Sequence, residues 1–382
     1  MPRRKIKNIR LNPIYYLLKA GDDVTTIRVA IAGVGNCASA LVQGVEYYRN
    51  IDEKEFVPGV MHVRFGGYTI GDIEFVAAFE VNRVKIGRKL SEAIWLEPNC
   101  CYRFADVSGL DVDVLPGPIL DGVAPHMRDE FRVYDERHVK PVDVAEVLKQ
   151  TKADVLVNYL PVGSHEGSRY YAEACLKAGC GFINAIPEFI ASDREWGERF
   201  RERRLPVAGD DIKSQVGATI VHRALANLMV DRGVKIDETY QINIGGNTDF
   251  LNMTVEERLA SKRISKTSAV KSLIPYDVPT RIGPSDYVPF LGDRKVCYIH
   301  LKGRKFGGAP LTLDMKLSVE DSPNSAGIVV DALRAIKIAL DRGVGGPLVS
   351  ISAYAFKHPP VDVPDSVARV WVEEFIQGKR QA

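Results

Sequence analysis

A chain of 382 residues, at about 150 residues per domain, suggests two domains or one large domain with an insertion. Its hydrophobic share of 46% and charged share of 26% suit a soluble globular protein and exclude a mainly disordered or fibrous one. Lys plus Arg number 51 and Asp plus Glu 49, a net charge of +2 that leaves no electrostatic footprint for nucleic acid.

Residues 1–23 end in a Gly-Asp-Asp turn signal and read as an N-terminal tail or docking arm. Its basic residues Arg3, Arg4, Lys5, Lys7 and Arg10 read as a solvated tail rather than a nucleic-acid arm. No apolar core of signal-peptide length follows them. No run of about 18 apolar residues exists to span a membrane. Six cysteines are too few for a disulfide scaffold. Cys175 and Cys180, with His165 nearby, admit a structural zinc but read better as ordinary buried thiols. The expected compartment is cytoplasmic.

Thr26–Ala32 predicts a buried strand that breaks at Gly33, and from Ala38 the apolar spacing Ala40, Leu41, Val45, Tyr48 turns helical. Residues 49–71, with Pro58, Gly59, Gly66, Gly67 and Gly71, read as an insertion before a second strand, Ile73–Phe79, that ends at Glu80. Further strands are expected at 154–160, 181–186 and 206–208, with helices near 142–151, 165–178 and 193–203 between them. That alternation argues for a parallel sheet with crossover helices. Beyond about residue 237 strands are expected at 238–244, 295–301 and 311–319 with fewer helices, an α+β region. A long helix at 324–340 follows, stopped by Gly343, Gly345 and Gly346.

Gly33-Val34-Gly35-Asn36-Cys37-Ala38 is a G-x-G-x-x-A motif directly after a strand and opening a helix, the context that makes such a motif informative. Gly33 permits the tight turn, Gly35 lets backbone approach a pyrophosphate, and Ala38 keeps the helix close to the sheet. The helix N-terminus offers N–H groups to phosphates. Glu80 is placed to accept from the adenosine ribose and to disfavour a 2′-phosphate, so NAD is expected over NADP. It lies 45 residues past Gly35, against about 20 in the usual fingerprint, and the insertion explains the gap. Asn158, Leu160 and Pro161 stand at the rim that faces the nicotinamide in this fold.

Four further stretches are distinctive: Gly209-Asp210-Asp211-Ile212-Lys213-Ser214-Gln215, Gly245-Gly246-Asn247-Thr248-Asp249, Ser261-Lys262-Arg263-Ile264-Ser265-Lys266 and Asp321-Ser322-Pro323-Asn324-Ser325-Ala326-Gly327. With the glycine motif they resemble the myo-inositol-1-phosphate synthases in their shorter archaeal and actinobacterial form, in the family's order from about residue 26 to 375. The resemblance implies conversion of glucose 6-phosphate to inositol phosphate. NAD would be used and regenerated within one turnover, through oxidation at C5, enolisation at C6, attack on the C1 aldehyde and re-reduction.

By the same resemblance Lys262 would act at the C5 oxygen with Asp211 in its proton relay. Lys266, Ser214, Gln215 and Asn247 would hold the phosphate, and Lys295 would stabilise oxyanions. Lys357 with Asp321 would act near C5 and the nicotinamide. Lys262 and Lys266 share a face if 254–266 is helical, and residues 246–275 are the expected closing element. Taken singly, each of these residues also suits a solvated helix face, a cap or a turn.

The expected fold is α/β. A doubly wound Rossmann domain comprises 24–214 plus 323–382, and a catalytic and tetramerisation domain, 215–322, is inserted in it. The resemblance implies a homotetramer, with no nucleic-acid or membrane partner. The metal is left open, monovalent or divalent, because no strong ligand cluster is visible. Rival readings are a conventional NAD-dependent dehydrogenase acting on a phosphorylated small molecule and a non-catalytic NAD-binding sensor.

Overall fold

The computed structural model describes residues 26–254, 267 and 269–382. In chain order the first part carries β1 (Ile27–Ala32), α1 (Asn36–Tyr47), β2 (Ile73–Glu80), α2 (Leu90–Ala93), β3 (Val114–Pro116), α3 (Val144–Gln150), β4 (Val155–Asn158), α4 (His165–Ala178), β5 (Gly181–Asn184), α5 (Arg194–Glu202) and β6 (Pro206–Ala208). Next come α6 (Ala218–Asp231), β7 (Lys235–Gly245), α7 (Thr248–Asn252), β8 (Thr280–Tyr287), β9 (Arg294–Arg304) and β10 (Pro310–Glu320). The chain closes with α8 (Pro323–Asp341), β11 (Gly346–Pro347), α9 (Val349–Ala355) and α10 (Asp365–Ile376).

Seven strands form one sheet in the order β11-β6-β5-β4-β1-β2-β3, and every pairing is parallel. The strand order reverses between β1 and β4, so a crevice opens beyond their carboxyl ends, where such sheets bind ligands. Helices cover both faces. Ile27, Val29 and Ile31 of β1 join α1 and α8 in one apolar layer, while Ala30 and Ala32 face α3, α4 and α5 in the other. Burial on both sides explains why β1, β4 and β5 are nearly unbroken apolar runs.

The second sheet has four strands in the order β10-β9-β7-β8, with β7–β9 and β9–β10 antiparallel and β7–β8 parallel. Helix α6 packs across β7 and β9, and Met229, Ile236, Ile299 and Leu301 fill that core.

Residues 49–71 contain no regular helix or strand. They are nevertheless tied tightly to α8. A Cβ on Gly327 would lie 2.0 Å from the Gly59 carbonyl oxygen, so only glycine allows this approach. Asp331 and Arg334 are fully buried and paired with each other. Asp331 also accepts from Met61 N at 2.8 Å, and Arg334 donates to the carbonyls of His62 at 2.9 Å and Val63 at 2.8 Å. Asp331→Ala would strand the arginine charge in an apolar layer. The expected loss of stability is about 3–5 kcal/mol, read from the urea midpoint; a loss under about 1 kcal/mol would show that water reaches Arg334.

Three elements differ from the sequence expectation for identifiable reasons. Strand β8 contains Gly283 and Pro284, which read as breakers. Strand β3 is three residues long and is defined only by its pairing with β2. Val349-Ser350-Ile351-Ser352-Ala353 alternates with a strand-like period of two, yet forms the buried helix α9, packed against α10 and α8.

Candidate active site

The crevice is built first by the glycine motif. Gly33 has φ +93°, and a Cβ there would lie 2.7 Å from the Tyr159 carbonyl oxygen, which ties the turn to the end of β4. A Cβ on Gly35 would meet no atom within 4 Å, which leaves room for a ligand's phosphates. Helix α1 begins at that point without a side-chain cap or an acidic residue in its first turn. Its first N–H groups are therefore available to an anion. This cradle fits a dinucleotide pyrophosphate. Ala38 is buried against the sheet, as close helix packing requires.

Glu80, the last residue of β2, does more than face the cleft. Its carboxylate accepts from Val34 N at 2.9 Å, Val81 N at 2.7 Å and Asn82 N at 3.1 Å, so it clamps the glycine turn. Asn36 uses its side chain to hold the 97–101 loop, accepting from Cys100 N at 2.6 Å and Cys101 N at 2.9 Å. Burial, then the nearby carboxylates of Asp293, Asp321 and Asp249, pushes the Cys37 thiol up to about 12; at neutral pH it is a thiol and no nucleophile. Leu160 and Pro161 line the cleft. Asn158 is buried behind them and accepts from Leu160 N at 3.2 Å, setting the rim.

The catalytic end is assembled by two backbone junctions. Residues 210–213 run alongside 355–358: Asp210 N donates to His358 O at 3.0 Å, Lys357 N to Asp211 O at 2.7 Å, and Lys213 N to Ala355 O at 2.8 Å. Asp211 sits there with φ +63°, a left-handed conformation that aspartate tolerates better than most residues. Its carboxylate accepts from Lys357 Nζ at 2.7 Å, with both side chains largely buried. The neighbouring Asp210 is fully buried, and desolvation pushes it up to about 6. It accepts from Asn184 Nδ2 at 2.7 Å, Ile190 N at 3.1 Å and Ser192 Oγ at 2.7 Å, which anchors the strand end beneath Asp211.

At the second junction β9 meets the start of α8. Lys295 Nζ donates to Asp321 Oδ1 at 3.1 Å and lies 5.6 Å from the centre of the Phe250 ring. Burial, the largest single effect, would lower this lysine, but the charge and hydrogen bond of Asp321, with Asp249 and Cys297, together hold the pKa above the usual lysine value, so Lys295 is a fixed positive charge. Asp293, only 3% exposed, binds Asn247 Nδ2 at 3.0 Å, Ser322 N at 3.1 Å and Ser322 Oγ at 2.8 Å. Burial and then the Asp321 charge push Asp293 up to about 6. Asn247 caps α7 by accepting from Asp249 N at 3.1 Å and Phe250 N at 3.4 Å.

One cleft thus gathers Gly33, Gly35, Asn36, Cys37, Glu80, Leu160, Pro161, Asp211, Ser214, Asn247, Lys295, Asp321 and Lys357. Gln215 stands apart: its side chain lies against Gly59 and faces a separate groove between α1 and α8. Among the described residues Lys357 meets Asp211 and Lys295 meets Asp321, because the backbone pairing of 210–211 with 357–358 and the β9–α8 corner bring them together. Lys262 and Lys266, with residues 255–266 and 268 of the expected closing element, lie outside the described residues. Sequence reasoning missed Lys85, Asn99 and Asp293. Only the place of Asp293, two residues before Lys295, carried any signal. Cys175 and Cys180 are buried thiols, and His165 pairs with Glu188.

A doubly wound parallel sheet, a phosphate cradle at its switch point and an adjoining cleft of paired lysines and carboxylates define an enzyme built on a dinucleotide-dependent oxidoreductase scaffold. Residues 217–322 match the family model described as myo-inositol-1-phosphate synthase. The chain is 56% identical over 360 residues to the inositol-3-phosphate synthase of Corynebacterium glutamicum, covering 92% of this chain and 98% of that one. It belongs to the myo-inositol-1-phosphate synthase family. The inositol-3-phosphate synthase of Mycobacterium tuberculosis is 54% identical over 364 residues, covering 94% and 98% of the two chains. Among solved structures, a myo-inositol-1-phosphate synthase-related protein from Thermotoga maritima superposes with a TM-score of 0.78 at 30% identity, covering 92% and 98%. The inositol-3-phosphate synthase of Caenorhabditis elegans shares the fold, with a TM-score of 0.71 at 18% identity over 92% and 85% of the two chains.

Proposed function

We propose that this chain converts D-glucose 6-phosphate to 1D-myo-inositol 3-phosphate. The single observation that carries the reading at the level of residues is the meeting of two lysine–carboxylate pairs, Lys357–Asp211 and Lys295–Asp321, beside the dinucleotide cradle. Bound NAD supplies the acceptor for the C5 hydride and later returns it. Gly33, Gly35, Asn36, Cys37, Ala38 and Glu80 would hold its pyrophosphate and adenosine, and Asn158, Leu160 and Pro161 its nicotinamide end.

The chain's own groups then have separable tasks. Asp211, in contact with Lys357, would relay the C5 hydroxyl proton, with Lys262 assigned to the same oxygen by family resemblance. A base at that oxygen contributes when it stands within hydrogen-bond reach of the proton it takes. Lys295 is held charged, and a preorganised cation favours the developing enolate and aldol oxyanions. Asp321 orients that lysine. Ser214, Asn247 and Lys266 are assigned to the substrate phosphate, while Gln215 would reach it only by leaving its contact with Gly59.

The proposed domains are 24–214 with 323–382, and 215–322; the return of β11 to the parallel sheet and the packing of α6 on β7 and β9 support these borders. A homotetramer is proposed through the second sheet, whose exposed Tyr240 and Tyr298 suit an interface. Among the described residues no three His, Cys, Asp or Glu side chains are placed to hold a metal ion. A participating cation would be held mainly through cofactor and substrate phosphates. Among the described residues no helix is long and apolar enough to cross a membrane.

Hydride that leaves and returns to one carbon gives a direct test. Glucose 6-phosphate deuterated at C5 is expected to yield inositol phosphate that keeps the label, with no build-up of reduced cofactor. Loss of label to solvent or to added NAD would instead identify an ordinary dehydrogenase.

A further inference from the structure

Lys85 is a buried charge that none of the assigned roles uses. It follows β2 by five residues in a turn stitched by Lys85 N to Asn82 O at 3.1 Å and Arg88 N to Lys85 O at 3.1 Å. Its side chain is 2% exposed and still lines the cleft, together with Glu80 and Asn99. An ammonium in such a place is retained only where it is well partnered.

Its partners are unusual. Lys85 Nζ donates to the Val34 carbonyl at 2.8 Å and to Asn99 Oδ1 at 2.8 Å, both neutral acceptors. Burial lowers its pKa, and Glu80 is the one charge that acts against this. Lysine has three N–H donors; two of them meet the acceptors named here, which leaves one for a further acceptor. Glu80, meanwhile, has already taken three backbone N–H groups. An acid at the end of β2 marks the adenosine ribose in this class of sheet. A ribose hydroxyl reaching Glu80 as donor needs a donor of its own for its oxygen.

We propose that Lys85 is a cofactor-recognition residue, donating to a hydroxyl oxygen of the adenosine ribose while Glu80 accepts from the same diol. The inference rests on the NAD assignment above. The alternative role, a clamp for the glycine turn, is weakened by Asn99. Its Nδ2 also donates to the Val34 carbonyl, at 3.2 Å, and to the Ile94 carbonyl, at 2.9 Å. The turn therefore keeps a donor when the lysine is removed.

The test is calorimetric titration of the whole protein with NAD and with NAD lacking either the 2′- or the 3′-hydroxyl of the adenosine ribose. Lys85→Met keeps the length of the stem, and Lys85→Gln keeps a donor; melting temperatures identify any variant that fails to fold. Wild type is expected to lose roughly tenfold or more in affinity with one of the two deoxy cofactors, the range for a charge-assisted hydrogen bond. Lys85→Met should lose a similar factor with NAD itself. It should then lose clearly less than wild type on removal of that hydroxyl, keeping only the share that belongs to Glu80, with Lys85→Gln in between. A Lys85→Met variant that binds NAD as wild type does would overturn the proposal. So would one that loses as much as wild type on removing the hydroxyl, or a wild type indifferent to both hydroxyls, since the lysine is then a turn clamp. Failure of wild type to bind NAD at all would overturn the cofactor assignment, and this inference with it.

Discussion

Replacing Lys357 with methionine is expected to lower kcat by about 10² to 10⁴, the usual contribution of a positioned proton-transfer group, while NAD still binds within a few-fold. Lys357 Nζ stands 2.7 Å from Asp211 Oδ1, and Asp211 itself is held by backbone pairing on both sides of the junction. Methionine preserves the stem and removes the ammonium, so the main change is in charge and in the proton available to Asp211. Asp211→Asn is the companion variant. If the two groups act as one unit, the double variant should be little worse than either single one, because such effects are not additive. The measurements are steady-state production of inositol phosphate and calorimetric binding of NAD. Turnover within a few-fold of wild type would show that the pair only closes the 210–358 junction.

Lys295→Met is expected to cost about 10² to 10³ in kcat, as for loss of one preorganised oxyanion donor. Here the structure favours a constant charge over a proton carrier: Asp321 holds the lysine above its usual pKa, so it stays an ammonium across the working range. The loss should therefore be nearly independent of pH between about 6 and 9, a window well below the ordinary lysine pKa of about 10.4. KM should change less than kcat. A loss that vanishes at one end of that range would assign Lys295 to proton transfer. The variant also leaves Asp321 without its cation beside Asp293, so melting temperatures must accompany the kinetics.

Much of the fold was legible because local chemistry and final environment agree. The run Ile27–Ala32 is apolar apart from Arg28 and lacks the alternation of a half-solvated strand, and Gly33 to Ala38 supplies the turn, the approach and the close helix packing in six residues. The helices at 165–178 and 324–340 are marked by helical apolar spacing, and their stops by Gly179 and Gly343, both at positive φ. Helix α6, absent from the expected elements, also carries its signal locally: Ala218, Val221, Leu225 and Met229 recur at helical spacing. Strand β8 was not legible, since a Gly-Pro pair within a strand is overruled only by its pairing with β7.

The candidate site divides along the same line. Residue types and their order along the chain were enough for the phosphate cradle, the acid at Glu80 and the family to which the chain belongs, because each is carried by a short contiguous motif whose geometry is local. Which lysine meets which carboxylate is a different kind of fact. Asp211 and Lys357 are 146 positions apart and Lys295 and Asp321 are 26 apart. Their pairing follows from two backbone junctions that no local preference encodes. Lys85 is the clearest case: by spacing it is one more lysine in a polar turn, and only burial beneath Val34 and Asn99 makes it a charge that a ligand would meet. Burial and long-range contact set the cost of a charge and the neighbours it finds, and both come into being only when the chain is folded.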